Sequence, residues 1–178
     1  MSETATLGQL DAPLQFTDLR VGDSWWSEKR EIREEDVVSF ARLTGDQNPL
    51  HLDPEYAQAT PFGQQIAHGL LGLSLVAGLG SRSPAVETVV FLNIREWKFL
   101  KPVYFGDTVC VRTEVVELTE RGRRRGLVVW KQSLVNQRGE TVQEGYFETL
   151  VARPVVRAEK GTLSNGSALA RNLRSIPR

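Results

Sequence analysis

The chain has 178 residues, with 22 Lys and Arg against 22 Asp and Glu; that length suits one domain with tails, and the charge balance offers no global attraction to nucleic acid or an anionic membrane. Its single cysteine, Cys110, excludes an internal disulfide, and one Cys with two His falls short of a four-ligand, protein-only zinc site. The longest apolar run, 66–79, is shorter than the ~20 residues of a membrane span.

The opening MSETATLGQLDAP is acidic and polar, without the basic and apolar regions of a signal peptide, so a cytoplasmic location is expected. Residues 1–15 read as a flexible lead and 16–153 as one domain. A turn at Val21-Gly22-Asp23 leads into a strand carrying Trp25 and Trp26. A helix follows, with Val37, Phe40, Ala41 and Thr44 at i, i+3, i+4, i+7. Glu34, Glu35 and Asp36 in its first turn and Arg42 in its last match the helix dipole, and Gly45 is the expected stop, although no Ser, Thr, Asn or Asp caps its start.

Next comes GDQNPLH, residues 45–51, which holds an acid, an amide and one of the two histidines. Pro49 fixes its own φ and pushes Asn48 out of the α region, so the stretch reads as a loop, and a shaped turn is needed to bring Asp46 and His51 together. Asp53-Pro54 is an N-cap and first-turn pair that opens a short helix through Ala59. IAHGLLGLSLVAGLG is apolar on every side, which predicts a helix surrounded by protein, with Gly69, Gly72 and Gly78 allowing close approach of another backbone.

From Val86 the texture changes to four strands rich in β-branched and aromatic residues: VVFLNIREWKF, TVCVRTEVVEL, RGLVVWKQSLVNQ and ETVQEGYFETLVA, with Gly145 a candidate bulge. Residues 154–178 lose this pattern and hold five basic residues against one acidic, which reads as a flexible basic tail. The sum is an α+β layout in which an antiparallel sheet curves around one long apolar helix. A sheet of this size leaves exposed edges, so a dimer that continues it is expected.

FARLTGDQNPLHLDPEYAQATPFGQQIAHGLLGLSLVAGL resembles the hydratase motif of the MaoC-like, (R)-specific enoyl-CoA hydratases of the hotdog fold: Gly-Asp-x-Asn-Pro-hydrophobic-His, then His-Gly at the start of the central helix. WKFLKPVYFGDTV is similar to the family's second strand and its Pro-Val-x-x-Gly-Asp turn. The resemblance covers roughly residues 18 to 152. It implies hydration of a trans-2-enoyl-CoA to a (3R)-3-hydroxyacyl-CoA, or the reverse dehydration, with no metal or organic cofactor. It also implies Asp46 and His51 as the catalytic pair, with Asn48 holding the loop and the water.

Hydration of an unsaturated thioester needs a base for water, an acid for Cα and a donor to the enolate oxygen. Asp46 and His51 supply two titratable groups. Gly69, at the head of the apolar helix and lacking a side chain, offers an unpaired N–H to the thioester oxygen. His68 is either a structural histidine or a substrate-loop residue. Lys98, Lys101 and the cluster Arg121, Arg123, Arg124 and Arg125 are candidates for the phosphates of CoA. Two alternatives share the fold, an acyl-CoA thioesterase and a non-catalytic acyl-CoA binding domain. Neither requires the Asn-Pro-x-His turn.

Overall fold

The computed structural model describes residues 12–154. The basic tail from 155 onward and the first 11 residues of the lead lie outside the described residues. Leu14 is already part of the domain, since its N–H donates to the Ala85 carbonyl and its carbonyl accepts from Glu87 N–H, both at 2.9 Å.

After a 3-10 turn (Phe16–Asp18) come two short strands, β1 (Ser24–Trp26) and β2 (Arg30–Glu31), followed by helix α1 (Glu34–Thr44). Val37 and Ala41 are the buried residues of α1. The start of α1 is capped from inside the helix rather than by a preceding polar residue: Arg33 N–H donates to Asp36 Oδ2 at 3.0 Å. Gly45 ends it with φ 79°, a left-handed value open to glycine, and returns its N–H to the Ala41 carbonyl at 2.9 Å.

Two more short helices, α2 (Pro49–Leu52) and α3 (Pro54–Gln58), separate α1 from the central helix α4 (Gly69–Gly80). The segment read as a loop thus contains one helical turn. Pro49 stands at its first position, where proline's missing N–H removes no hydrogen bond, and His51 lies within it. The central helix also starts later than the apolar run. Ala67 N–H is taken by the Val103 carbonyl at 2.8 Å and Ile66 bridges Tyr104, so residues 66 and 67 are held as an extended edge.

Four long strands follow, β3 (Thr88–Phe99), β4 (Thr108–Glu120), β5 (Arg125–Asn136) and β6 (Thr141–Ala152). The sheet order is β1-β4-β5-β6-β3, with β2 beside β1 on β4 and every pair antiparallel. Its inner face and α4 share one core, in which Val111, Val115, Val128, Trp130, Leu134, Phe147 and Val151 of the sheet meet Leu71 and Val76 of the helix. Each such buried aliphatic side chain contributes about 1.5–3 kcal/mol. This is the hotdog arrangement, an antiparallel sheet curved around one apolar helix.

Two details depart from expectation. Gly145 pairs regularly with Gln132, while the irregularity lies opposite it on β3 between Arg95 and Lys98, where Glu96 takes φ 51°. Gly145 is small because a Cβ there would lie 2.6 Å from the Trp97 ring and 2.9 Å from its Cα. The central helix is not enclosed on all sides either: Leu70, Ser74, Ala77 and Gly78 are exposed. So is the free edge strand β3, where Val89, Val90, Phe91, Leu92, Ile94 and Phe99 are each more than a third exposed.

Candidate active site

The site forms where the turn after α1 meets the head of α4. Asn48 caps α2: its Oδ1 accepts from Leu50 N–H at 3.0 Å, while its own N–H donates to Asp46 Oδ1 at 3.3 Å. This Asx-type geometry is local and encoded by the Asp-x-Asn-Pro string. It fixes where Asp46 and His51 stand relative to each other.

The His51 ring is oriented from the other side. Its Nδ1 lies 2.8 Å from the Ile66 carbonyl. A carbonyl can only accept, so Nδ1 carries the proton and Nε2 keeps its lone pair. The His51 carbonyl in turn accepts from Gln65 Nε2 at 3.0 Å. Burial pushes the His51 pKa below its ordinary 6.5, assisted by neighbouring His68 and opposed by the Ile66 hydrogen bond and the Asp46 charge. The neutral imidazole is the favoured form.

His68 sits beneath both residues and is 2% exposed. Its ring stacks on His51 with centroids 3.8 Å apart and an interplanar angle of 31°, and Phe40 packs against it at 5.1 Å. Nε2 donates to the Asp46 carbonyl at 3.0 Å and stands 3.9 Å from Asp46 Oδ2. Nδ1 is buried without a hydrogen-bond partner among the described residues.

One ligating atom each from Asp46, His51 and His68 lie within 4.8 Å of one another. That span suits a single water bridging carboxylate and imidazole, since two hydrogen bonds of about 2.8 Å reach across it. It suits a metal ion poorly. Stacked rings direct their in-plane lone pairs side by side rather than toward one point.

Beside the pair lies a cavity of about 340 Å³ lined by His51, Phe62, Ile66, Gly69, Phe99, Lys101 and Gln143, among others. Gly69 is the first residue of α4, and its N–H has no backbone partner among the described residues. A Cβ there would stand 2.9 Å from two atoms of the Phe99 ring, so glycine keeps both the N–H and the cavity open. Gln143 braces this corner from β6. Its Nε2 donates to the Gly69 carbonyl at 3.1 Å, its Oε1 accepts from Trp97 Nε1 at 3.3 Å, and it is 2% exposed.

Asp46, Asn48, His51, His68 and Gly69 are therefore brought together. Lys101 reaches the cavity wall, with Nζ 2.5 Å from Glu140 Oε1. Hydrogen bonds from Asn136, Lys101 and Arg138 hold the Glu140 carboxyl down to about 2. Lys98 lies on β3 opposite Glu144, outside the cavity lining. Sequence reasoning missed Gln143, Phe99 and the Ile66 carbonyl. Gln143 left one trace, a long polar residue on the inward face of its strand beside Phe147 and Val151.

The model of the MaoC like domain matches residues 20–137. A 3-hydroxybutyryl-CoA dehydratase of Methylorubrum extorquens is 44% identical over 115 residues, 64% of this chain and 71% of the relative. Among solved structures, the MaoC-like dehydratase from Rhodospirillum rubrum is 30% identical with a TM-score of 0.72, covering 79% of this chain and 98% of that one. The (R)-hydratase of Aeromonas caviae is 31% identical with a TM-score of 0.62, covering 76% and 98%. The Gly-Asp-x-Asn-Pro-Leu-His turn, the hotdog sheet and these likenesses agree: the chain belongs to the MaoC-like dehydratase family.

Proposed function

We propose that the protein is a hydro-lyase that adds water to a trans-2-enoyl-CoA to give a (3R)-3-hydroxyacyl-CoA, or runs the reverse dehydration, using Asp46 and His51 on one shared water. The observation that carries this reading is the spacing of the pair, a carboxylate oxygen and an imidazole nitrogen within one-water reach beside a cavity that opens onto an unpaired helix-start N–H. The relatives named as hydratases and dehydratases support the same reading.

In this mechanism His51 Nε2 accepts a proton from the water while Asp46 accepts its other hydrogen bond and aims the oxygen. The water oxygen bonds to Cβ, the double-bond electrons move through Cα onto the thioester oxygen, and Gly69 N–H stabilises the resulting charge. The proton held by the pair then goes to Cα on the same face. The chemistry calls for no metal and no organic cofactor.

A second copy of the chain is part of the reading. β3 is the terminal strand of the sheet, its outer edge is unpaired among the described residues, and its large apolar side chains are exposed. Antiparallel pairing of β3 with itself about a two-fold axis continues the sheet and covers these groups. No helix of the described residues is long and apolar enough to cross a membrane, and we place the enzyme among cytoplasmic acyl-thioester enzymes.

The test offers crotonyl-CoA and longer enoyl-CoAs to the purified protein and follows loss of the enoyl absorbance. Hydration that disappears in Asp46→Asn and in His51→Ala supports the assignment. Release of free CoA from saturated acyl-CoAs without hydration makes the protein a thioesterase, and hydration that survives both substitutions removes the Asp/His pair from the mechanism.

A further inference from the structure

The hairpin joining β4 to β5 carries Arg121, Arg123, Arg124 and Arg125, all exposed. None of the four is within ion-pairing distance of a carboxylate among the described residues; adjacent Glu120 is taken by Arg153 at 2.9 Å. Four unneutralised guanidinium groups on one turn repel each other, which suits an anionic ligand with several charges. The turn is also shaped: Arg121 N–H donates to the Arg125 carbonyl at 3.1 Å, and Arg153 N–H to the Arg124 carbonyl at 2.9 Å.

These arginines line a groove of about 430 Å³ whose remaining wall is Val89, near the N-terminal end of β3. The catalytic cavity lies at the other end of the same strand, on Phe99. Along the extended strand the two are roughly 35 Å apart, so the hairpin is remote from the cavity of its own protomer. Two-fold antiparallel pairing about the middle of β3 reverses this relation. It sets Thr88 and Val89 of the partner subunit beside Lys98 and Phe99, and with them the arginine hairpin beside the mouth of the cavity.

We propose that the arginine hairpin of each protomer binds the nucleotide phosphates of the CoA thioester seated in the other protomer's cavity. The inference rests on the hydratase reading and on the β3 dimer. Arginine's planar fork matches phosphate oxygens in pairs, and the ligand's charged end stays on the surface while its acyl end enters the cavity. Each site is then incomplete in a lone protomer.

The experiment uses the triple variant Arg121→Gln, Arg123→Gln, Arg124→Gln in the full-length protein. KM for crotonyl-CoA should rise about tenfold or more, and the rise should shrink for crotonyl-phosphopantetheine and vanish for crotonyl-pantetheine. A rise shared equally by all three thioesters, or no rise, overturns the proposal. If the rise persists in full for crotonyl-phosphopantetheine, the hairpin binds the pantetheine phosphate, and the nucleotide assignment is wrong.

A doubly tagged heterodimer then asks which protomer supplies the arginines. One chain carries Asp46→Asn and its partner the triple substitution. Supply across the interface leaves one intact site, with about half the wild-type rate at the wild-type KM; supply within a protomer leaves only the high KM. Calorimetric binding of CoA against dephospho-CoA separates this inference from the activity reading. Arginine-dependent preference for CoA in a protein that hydrates nothing upholds the phosphate site and sinks the hydratase, whereas a wild type that is monomeric in sedimentation sinks supply across the interface.

Discussion

The imidazoles of His51 and His68 lie face to face, 3.8 Å between centroids, and only His51 reaches the cavity. The two histidines therefore differ in setting: His51 borders the cavity with its Nδ1 on the Ile66 carbonyl, while His68 supports the ring above it and holds the Asp46 backbone through its own Nε2. Replacing His68 by Ala removes a stacking partner and a hydrogen bond and leaves a buried void. The expected loss of stability is about 2–4 kcal/mol, read by chemical denaturation. His68→Phe restores the packing but not the bond to the Asp46 carbonyl, so it should recover most of the stability while kcat stays well below wild type.

Gly69→Ala pushes a methyl into the Phe99 ring at 2.9 Å. Turnover should fall by about 10²-fold, the scale of a displaced oxyanion donor, with a smaller change in KM. Adding Phe99→Ala makes room for the methyl. Partial recovery of kcat in the double variant identifies the defect as steric; a double variant no better than the single would mean that Gly69 serves the reaction in some other way.

The His51 pKa is lowered chiefly by burial, so the base form persists into mild acid. The acid limb of the kcat/KM profile should fall below the ordinary imidazole value of 6.5. Folding carries the same sign. The unfolded chain takes up this proton more readily than the folded one, so the contribution of His51 to stability is present above its unfolded pKa and diminishes as pH falls through it. In His51→Gln that part of the pH dependence of unfolding should be absent.

Gln143 bridges the Gly69 carbonyl and the Trp97 indole in a place almost without solvent. Gln143→Leu keeps the volume, removes the second bond of the Gly69 carbonyl and leaves the Trp97 indole N–H without its acceptor, at about 1–3 kcal/mol for the stranded group. A clear drop in melting temperature with a raised KM is expected. Gly72→Ala should act on the same bond, because a Cβ at position 72 falls on the Gln143 carboxamide.

Val90 and Leu92 are exposed on the free edge strand. Lysine at both positions places charge in the apolar strip that the proposed two-fold pairing of β3 covers. Sedimentation should report a monomer, and hydration of crotonyl-CoA should be strongly reduced even though every catalytic residue is retained.

The local features were legible and the non-local ones were not. α1 followed from its i, i+3, i+4, i+7 pattern, the Asp46-to-His51 turn from the constraints Pro49 places on its neighbours, and α3 from Asp53-Pro54. The head of α4 at His68-Gly69 was legible too, but the apolar run begins three residues earlier, and the pairing of Ala67 with Val103 that holds those residues extended depends on a segment far along the chain. Gly145 read as a bulge because a strand glycine carries no mark that separates a kink from a close neighbour, and the neighbour, Trp97, lies on a strand 46 residues from Gln143 in the same ladder. Gln143 escaped notice for the same reason: its partners are a helix-start carbonyl and an indole that the sheet alone brings together.

The acceptor that sets the tautomer of His51 is the main-chain oxygen of Ile66. No side-chain replacement at position 66 deletes it, so drift in residue type there leaves the proton on His51 Nδ1 as long as the backbone keeps its course. Redesign of substrate preference can therefore recruit Ile66, which faces the cavity, as a freely variable wall. Proline at position 67 is the change to avoid, since losing the Ala67 N–H would unhook that strip from Val103 and free the His51 ring to reorient.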